Sequence, residues 1–479
     1  MEGLAQIGSH SFLDEGVDRV IEVTREQAAL SGLVIFTYTW SKALAYRSSL
    51  PTEGRTRGPD HEFHGGAYFR PHGQYYRNTS IEAERLRTAD APFKDVDILE
   101  RVLSPCHEAG LRVYAALPLG REPEYLHELA PGFLKCSEID AWGRPVGEAL
   151  PHGWQERAFL PHCYNNPEYR AFYRGLVEDQ LKSYPLDGFL ILPDERYGPM
   201  EKALITGIPP TCFCPYCIEK AKAGGIDAEA AQAGLRELYE LATQARDDKY
   251  QRPAKGHMSQ LLALLLRYPE ILAWERLWYE TVEEFLHDLY TTAKRVRQEC
   301  RMGIHVWQVA SWALIARAET RYEKLGDCAD WIKPVLYDKP GGVRLLKTYA
   351  EACHRTILRD LEFEESVRFL LCVMGQPVPA SSEVLAREGL GPEYVERETA
   401  RALQAVQGKA QVYPGLGIDV EPNAGLQYPE QLPEDVEAAV AASARAGAGG
   451  FVLSINYAQM RDQSLRAVGR AVRALESGG

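Results

Sequence analysis

The segment LDGFLILPDER, Leu186 to Arg196, decides the reading of the fold. Gly188 to Leu192 form a short unbroken apolar run, closed by Pro193 and then by the charges Asp194, Glu195 and Arg196. A run with no polar alternation suits a strand buried on both faces, as in a parallel sheet covered by helices. The helical pattern NPEYRAFYRGLVEDQLKSYP (Asn166 to Pro185) runs straight into it. Outward from this point the same alternation recurs. GLVIFTYTW (Gly32 to Trp40), GLRVYAALPLG (Gly110 to Gly120) and the weaker RAFLPHCY (Arg157 to Tyr164) come before it, while GIHVWQVASW (Gly303 to Trp312), ADWIKPVLYDKPGG (Ala329 to Gly342), QVYPGLGIDVEP (Gln411 to Pro422) and GGFVLSINYAQM (Gly449 to Met460) follow. Helical sequence separates them, such as DVDILERVLSPCHEAG, with Gly110 as its C-cap, and PEDVEAAVAASARAGAGG. Eight strand–helix units predict an α/β fold, a (β/α)8 TIM barrel.

Two stretches exceed a minimal barrel: about 41–91 after the first predicted strand and about 200–272 after the fourth. Both follow strand C-termini, the face on which barrel enzymes carry their active-site loops. No tandem repeat or flexible linker divides the chain, so residues 1–479 read as one catalytic domain with insertions. The composition is 45% hydrophobic, 10% aromatic and 25% charged, which is globular rather than disordered or fibrous. A net charge of −13 repels phosphate backbones and anionic lipid, and no run reaches the length of a membrane span. Nucleic-acid and membrane partners are therefore not expected. The start MEGLAQIGSHSFLDEG has no basic region leading into an apolar one, so a cytoplasmic protein is expected. A homo-oligomer is compatible with the chain, although no heptad or edge pattern fixes an interface.

Glu195 stands where the best strand gives way to loop, which in a parallel barrel aims a side chain into the substrate cleft. Arg196 beside it offers a fork of donors for a substrate hydroxyl or carboxylate. The partner acid is Asp419, at the end of the seventh predicted strand, with Glu421 two residues on and on the same side. Asp338 is a third strand-end acid, with Lys339 beside it as a local ion-pair partner. Two acids on different strand ends suggest glycoside hydrolysis: one protonates the leaving oxygen, the other attacks the sugar or activates water. His305 and Trp307 alternate to one face and suit hydroxyl binding and ring stacking. The loop HEFHGGAYFRPHGQYYR (His61 to Arg77) concentrates rings, among them Tyr68 and His72, as a carbohydrate subsite requires. Tyr38, Tyr337 and Tyr457 complete the expected sugar-binding set. The histidine spacing His61-x2-His64-x7-His72 matches no helix-borne metal pair.

Cys212-x-Cys214-x2-Cys217 brings three thiols within six residues, enough to wrap a tetrahedral zinc if a fourth ligand, such as Cys163 or a histidine, arrives from elsewhere. A closed site of this kind is structural, and no cofactor is expected for the catalysis itself.

The segment YPLDGFLILPDERYGPMEKAL followed by TCFCPYC resembles the fourth strand and Cys-rich loop of uncharacterised bacterial TIM-barrel proteins assigned as glycoside hydrolases. GGAYFRPHGQYY, WIKPVLYDKPGGVR, YPGLGIDV and GFVLSINYAQMRDQSLRAVG resemble further segments of the same proteins, so the likeness runs along most of the chain. It implies a clan A-like arrangement, with an acid/base on strand four (Glu195) and a nucleophile at the end of strand seven (Asp419 or Glu421). The sequence departs from that pattern in having Asp194 rather than Asn before the first acid, and Asp419 rather than Glu as the better-placed second. The resulting expectation is a glycosidase acting on a small oligosaccharide or glycoside. The rival expectations are a non-hydrolytic carbohydrate-active lyase or isomerase, with or without a metal, and a carbohydrate-binding barrel without turnover.

Overall fold

The computed structural model describes residues 1–45, 63–120, 122–123, 126–146, 161–193, 197–422 and 425–477. Its centre is a sheet of nine strands: β1 (Glu2–Gly8), β2 (Gly32–Phe36), β3 (Arg112–Pro118), β4 (Gly188–Leu192), β5 (Arg301–Val306), β6 (Trp331–Pro334), β7 (Gln411–Val412), β8 (Gly415–Gly417) and β9 (Gly450–Ser454). Every pairing is parallel, and the order is β8-β9-β1-β2-β3-β4-β5-β6-β7. The two ends of that order, β7 and β8, are separated in the chain only by Tyr413 and Pro414. Val335, just past β6, bridges Gly415 in the parallel sense, so the sheet curls towards itself.

The period of two explains why these strands are apolar throughout. Leu4, Val34, Phe36, Tyr114, Ala116, Leu190, Leu192, Trp331, Tyr413 and Val452 pack on the inner face. Ala5, Ile7, Leu33, Ile35, Val113, Ala115, Phe189, Ile191, Ile304 and Ile332 pack outward with the helical layer. The filling is close: a Cβ on Gly303 would lie 2.3 Å from the Trp331 indole, so that position takes only glycine. At the N-terminal end of the strands Glu2 accepts hydrogen bonds from Arg112 (2.8 Å), Arg301 (2.8 Å) and Tyr413 (2.6 Å). Burial opposes that charge, but the Tyr413 and Arg301 bonds hold the carboxyl below its ordinary range. This end is closed by charge, which leaves the opposite end for a ligand.

The main helices are α1 (Ile98–Glu108), α2 (Pro167–Ser183), α3 (Ala228–Arg246), α4 (His257–Arg267), α5 (Glu270–Val296), α6 (Asp338–Arg344), α7 (Pro392–Val406), α8 (Pro433–Arg445) and α9 (Asp462–Ser477). Asp97 caps α1 by accepting from the amides of Leu99 and Glu100, and Asn166 caps α2 through Glu168 and Tyr169, ahead of Pro167 in the first turn. Between β4 and β5 the chain forms α3, α4 and a shorter helix, Pro215–Ala223, before α5 returns to the sheet.

Two strand expectations are corrected. Glu2–Gly8 is a central strand that the reading passed over, because Gln6 and two glycines interrupt its apolar pattern. RAFLPHCY supplies no strand of the sheet among its described residues; His162 makes only an isolated bridge to Ser137. The two errors cancel, so Gly188–Leu192 remains fourth in order.

Candidate functional site

Among the described residues, the C-terminal ends of β5, β6, β8 and β9 carry the polar side chains that chemistry could use. Asp194, Glu195 and Arg196 lie outside the described residues. Leu192 ends β4, and Tyr197 packs edge-on against Trp307 with ring centroids 5.0 Å apart. Trp307 is half-buried just beyond β5.

Below Trp307, on the inner face, His305 meets a group the sequence reading missed. Lys333 is fully buried within β6. Its Nζ donates to Gln6 Oε1 at 2.6 Å and lies 3.4 Å from His305 Nδ1, while Ser454 Oγ donates to the same Gln6 oxygen at 2.6 Å. Four strands therefore contribute one polar layer beneath the mouth. Its only sequence signal is a charged residue inside the apolar run WIKP, a placement too costly to be incidental.

Tyr337 follows β6 and lies across Gly417, where a Cβ would come 2.8 Å from its ring. With Val335, Val420, Tyr428 and Ile455 it forms a small apolar cluster over the ends of β6, β8 and β9. Asp338 is buried at the first turn of α6, and burial pushes its carboxyl up to about 6. Lys339 does not serve it as expected: its salt bridge goes to Asp435, at 3.0 Å. The raised carboxyl has a definite consequence for stability. Its protonated form is favoured by folding, so its contribution is complete below the unfolded value near 4 and is lost as pH rises through about 6. Asp338→Asn should accordingly match wild type in urea unfolding at pH 3.5 and exceed it by up to about 2 kcal/mol at pH 8. A difference that does not change with pH would show that the carboxyl is not desolvated.

Asp419 is held in place from every side. Its backbone has a positive φ of 48°, and its amide donates to Gln431 Oε1 at 2.7 Å. Oδ2 accepts from the Arg461 amide at 2.7 Å, and Oδ1 from Arg461 Nε and Nη2 at 2.9 and 2.8 Å. With a side chain only 2% exposed, this carboxylate fastens the loop after β8 to the loop after β9. Both oxygens are engaged by Arg461, which ties this carboxylate to its loop. Glu421, two residues further, is partly exposed.

Three of the expected sugar contacts are enclosed by packing, and a fourth, His72, lies away from the mouth. Tyr68 is enclosed, with its hydroxyl donating to Asp90 at 2.9 Å, and Asp90 also faces His10 Nε2 at 3.2 Å. Tyr38 is enclosed among Trp40, Phe172 and Tyr173, and Tyr457 is enclosed with its hydroxyl on Glu15 at 2.9 Å. His72 pairs with Asp179 at 2.7 Å, near the C-terminus of α2. Because α2 leads into the start of β4, that contact lies towards the end of the sheet opposite the mouth. These rings pack a long loop, which needs aromatic mass as much as a subsite does. One buried acid went unnoticed: Glu122, beyond β3, accepts from Tyr173 at 2.6 Å and Tyr169 at 3.2 Å and faces His162 at 3.2 Å.

The candidate metal centre is better defined. Cys163, Cys212, Cys214 and Cys217 are all buried, with their four sulfurs within 4.8 Å of one another. Cys163 Sγ is 3.4 Å from the sulfurs of Cys214 and Cys217, against about 3.8 Å between thiolates around a tetrahedral zinc. None forms a disulfide. N–H groups point at the sulfurs, Ile139 N at Cys212 (3.5 Å), Asn165 N at Cys163 (3.4 Å) and Asn165 Nδ2 at Cys217 (3.3 Å), as around metal-bound thiolates. The donor set fits a structural zinc and leaves no open position.

No protein-family model matches the chain, and no curated protein matches it. Solved structures do. A polyextremophilic β-galactosidase from the haloarchaeon Halorubrum lacusprofundi aligns with 99% of this chain and 58% of its own at 14% identity, TM-score 0.54. A β-galactosidase from the psychrophilic Marinomonas ef1 aligns with 100% and 60% at 12% identity, TM-score 0.53. The PgaB (BpsB) glycoside hydrolase domain of Bordetella bronchiseptica aligns with 99% and 98% at 11% identity, TM-score 0.51. This chain thus spans about three fifths of the two galactosidases and nearly all of the Bordetella domain. At such identities the likeness carries the fold alone. Among the described residues no helix is long and apolar enough to cross a membrane.

Proposed function

We propose that the chain is a glycoside hydrolase, a single catalytic (β/α)8 barrel in which β7 and β8 are two halves of one strand and long insertions follow the first and fourth strands of the sequence reading. What supports the proposal is a curled parallel sheet whose solved look-alikes are titled glycosidases, together with the acids that the sequence sets directly after β4 and β8. Glu195 acts as general acid and base, protonating the leaving oxygen. Because both oxygens of Asp419 are engaged by Arg461, Asp419 is the positioning residue of its loop, and Glu421 is the second carboxylate, attacking the anomeric carbon or activating water. Trp307 supplies a stacking face, His305 and Lys333 the polar floor, and Arg196 a donor fork near the first acid.

A zinc held by Cys163, Cys212, Cys214 and Cys217 pins the insertion after β4 to the loop after β3, and so steadies the Glu195 segment without entering the reaction. The substrate is a carbohydrate, and the site of action is the cytoplasm. The test is hydrolysis of a panel of α- and β-linked glycosides. Release of free sugar from at least one supports the proposal; release from none, with binding retained, favours a carbohydrate-binding barrel.

A further inference from the structure

Arg344, the last residue of α6, reaches the rim over the ends of β6 and β8. Its guanidinium lies between two tyrosines, 5.0 Å from the Tyr337 ring and 5.5 Å from the Tyr428 ring. Nε donates to Tyr428 Oη at 3.1 Å. Among the described residues it forms no ion pair and its two terminal nitrogens meet no acceptor, so a planar fork of four N–H donors is held by flat rings with its charge unneutralised. Tyr337, one wall of this clamp, also lies on Gly417 and belongs to the apolar cluster at the mouth, which places the fork beside the proposed cleft.

Resting on the glycosidase reading, we propose that Arg344 is a specificity-determining residue that receives the carboxylate of a sugar acid, so that the substrate class is a uronoside. A carboxylate matches the fork in plane and spacing and can accept two parallel bonds. A monoanion is favoured over a phosphate because the next cation on the same helix, Lys339, is neutralised by Asp435 at 3.0 Å and adds no second charge.

The test compares matched pairs of substrates, glucuronide against glucoside and galacturonide against galactoside in both anomers, with wild type, Arg344→Gln and Arg344→Lys. The expected result is a preference of wild type for the acidic member of one pair that Arg344→Gln lowers by about 10- to 100-fold, with the rate on the neutral member nearly unchanged. Arg344→Lys, which keeps the charge but not the fork, should recover only part of it. Equal losses on both members would show a structural clamp and overturn the proposal. Cleavage of neutral glycosides without preference would overturn it while leaving the glycosidase reading standing. Binding of free glucuronate or galacturonate is measured in parallel by NMR. Arg344-dependent binding without cleavage of any glycoside would keep the sugar-acid site and reject hydrolysis; no binding and no cleavage would reject both.

Discussion

Replacing Glu195 by Gln should lower kcat/KM on a glycoside with a natural, poorly departing leaving group by at least about 10²-fold, leaving thermal unfolding unchanged. The amide keeps size and hydrogen bonding but has no proton to give to the leaving oxygen, so the loss falls on the transition state and appears in kcat. On an activated aryl glycoside the same variant should be less impaired, because the phenolate leaves without protonation. Glu421→Gln should be slow on both substrates, since attack or water activation is needed whatever the leaving group. Asp419→Asn sets the contrast. It removes the buried charge that the partly exposed Arg461 answers at 2.8 Å, and should cost about 2 to 3 kcal/mol of stability. A Glu421→Gln enzyme as active as wild type would return the second role to Asp419 and show that the Arg461 pair opens on binding.

The purified protein should carry about one zinc per chain, and Cys217→Ser should lose it and unfold at a temperature lower by about 5 to 10 °C. The four buried sulfurs come from two stretches of chain, Cys163 on one and Cys212, Cys214 and Cys217 on the other, so a zinc bound there would join them. Without it four thiols must sit in contact with nothing to bind, and the local structure loses its tie. Chelation of wild type should reproduce the variant, and restored zinc should reverse the chelated sample alone. Wild type that purifies without zinc, with an unfolding temperature that neither chelator nor added zinc changes, would show that the cluster is four packed thiols.

How much of this was legible depended on the range of the interaction. Apolar runs and caps are local, so the parallel α/β architecture and the position of Gly188–Leu192 followed from the sequence. β1 escaped because glycines and Gln6 break its pattern, and Gln6 is there to meet Lys333, 327 residues away. Asp419 looked like a free strand-end acid because its partner Arg461 lies 42 residues on, beyond any local motif. The three clustered cysteines were visible at once, whereas Cys163, named only as one candidate beside the histidines, is 54 residues from Cys217 and joins the cluster only in the fold. Tyr38, Tyr68 and Tyr457 show the limit of composition: rings that could stack on sugar are the same rings that fill a core.

The measurement that tests the central claim most directly is an NMR time course of wild-type protein with a panel of α- and β-linked neutral and acidic glycosides, following the first sugar released. The account predicts enzyme-dependent appearance of a free sugar of one anomeric form from at least one substrate. No release above the spontaneous rate from any of them would contradict it.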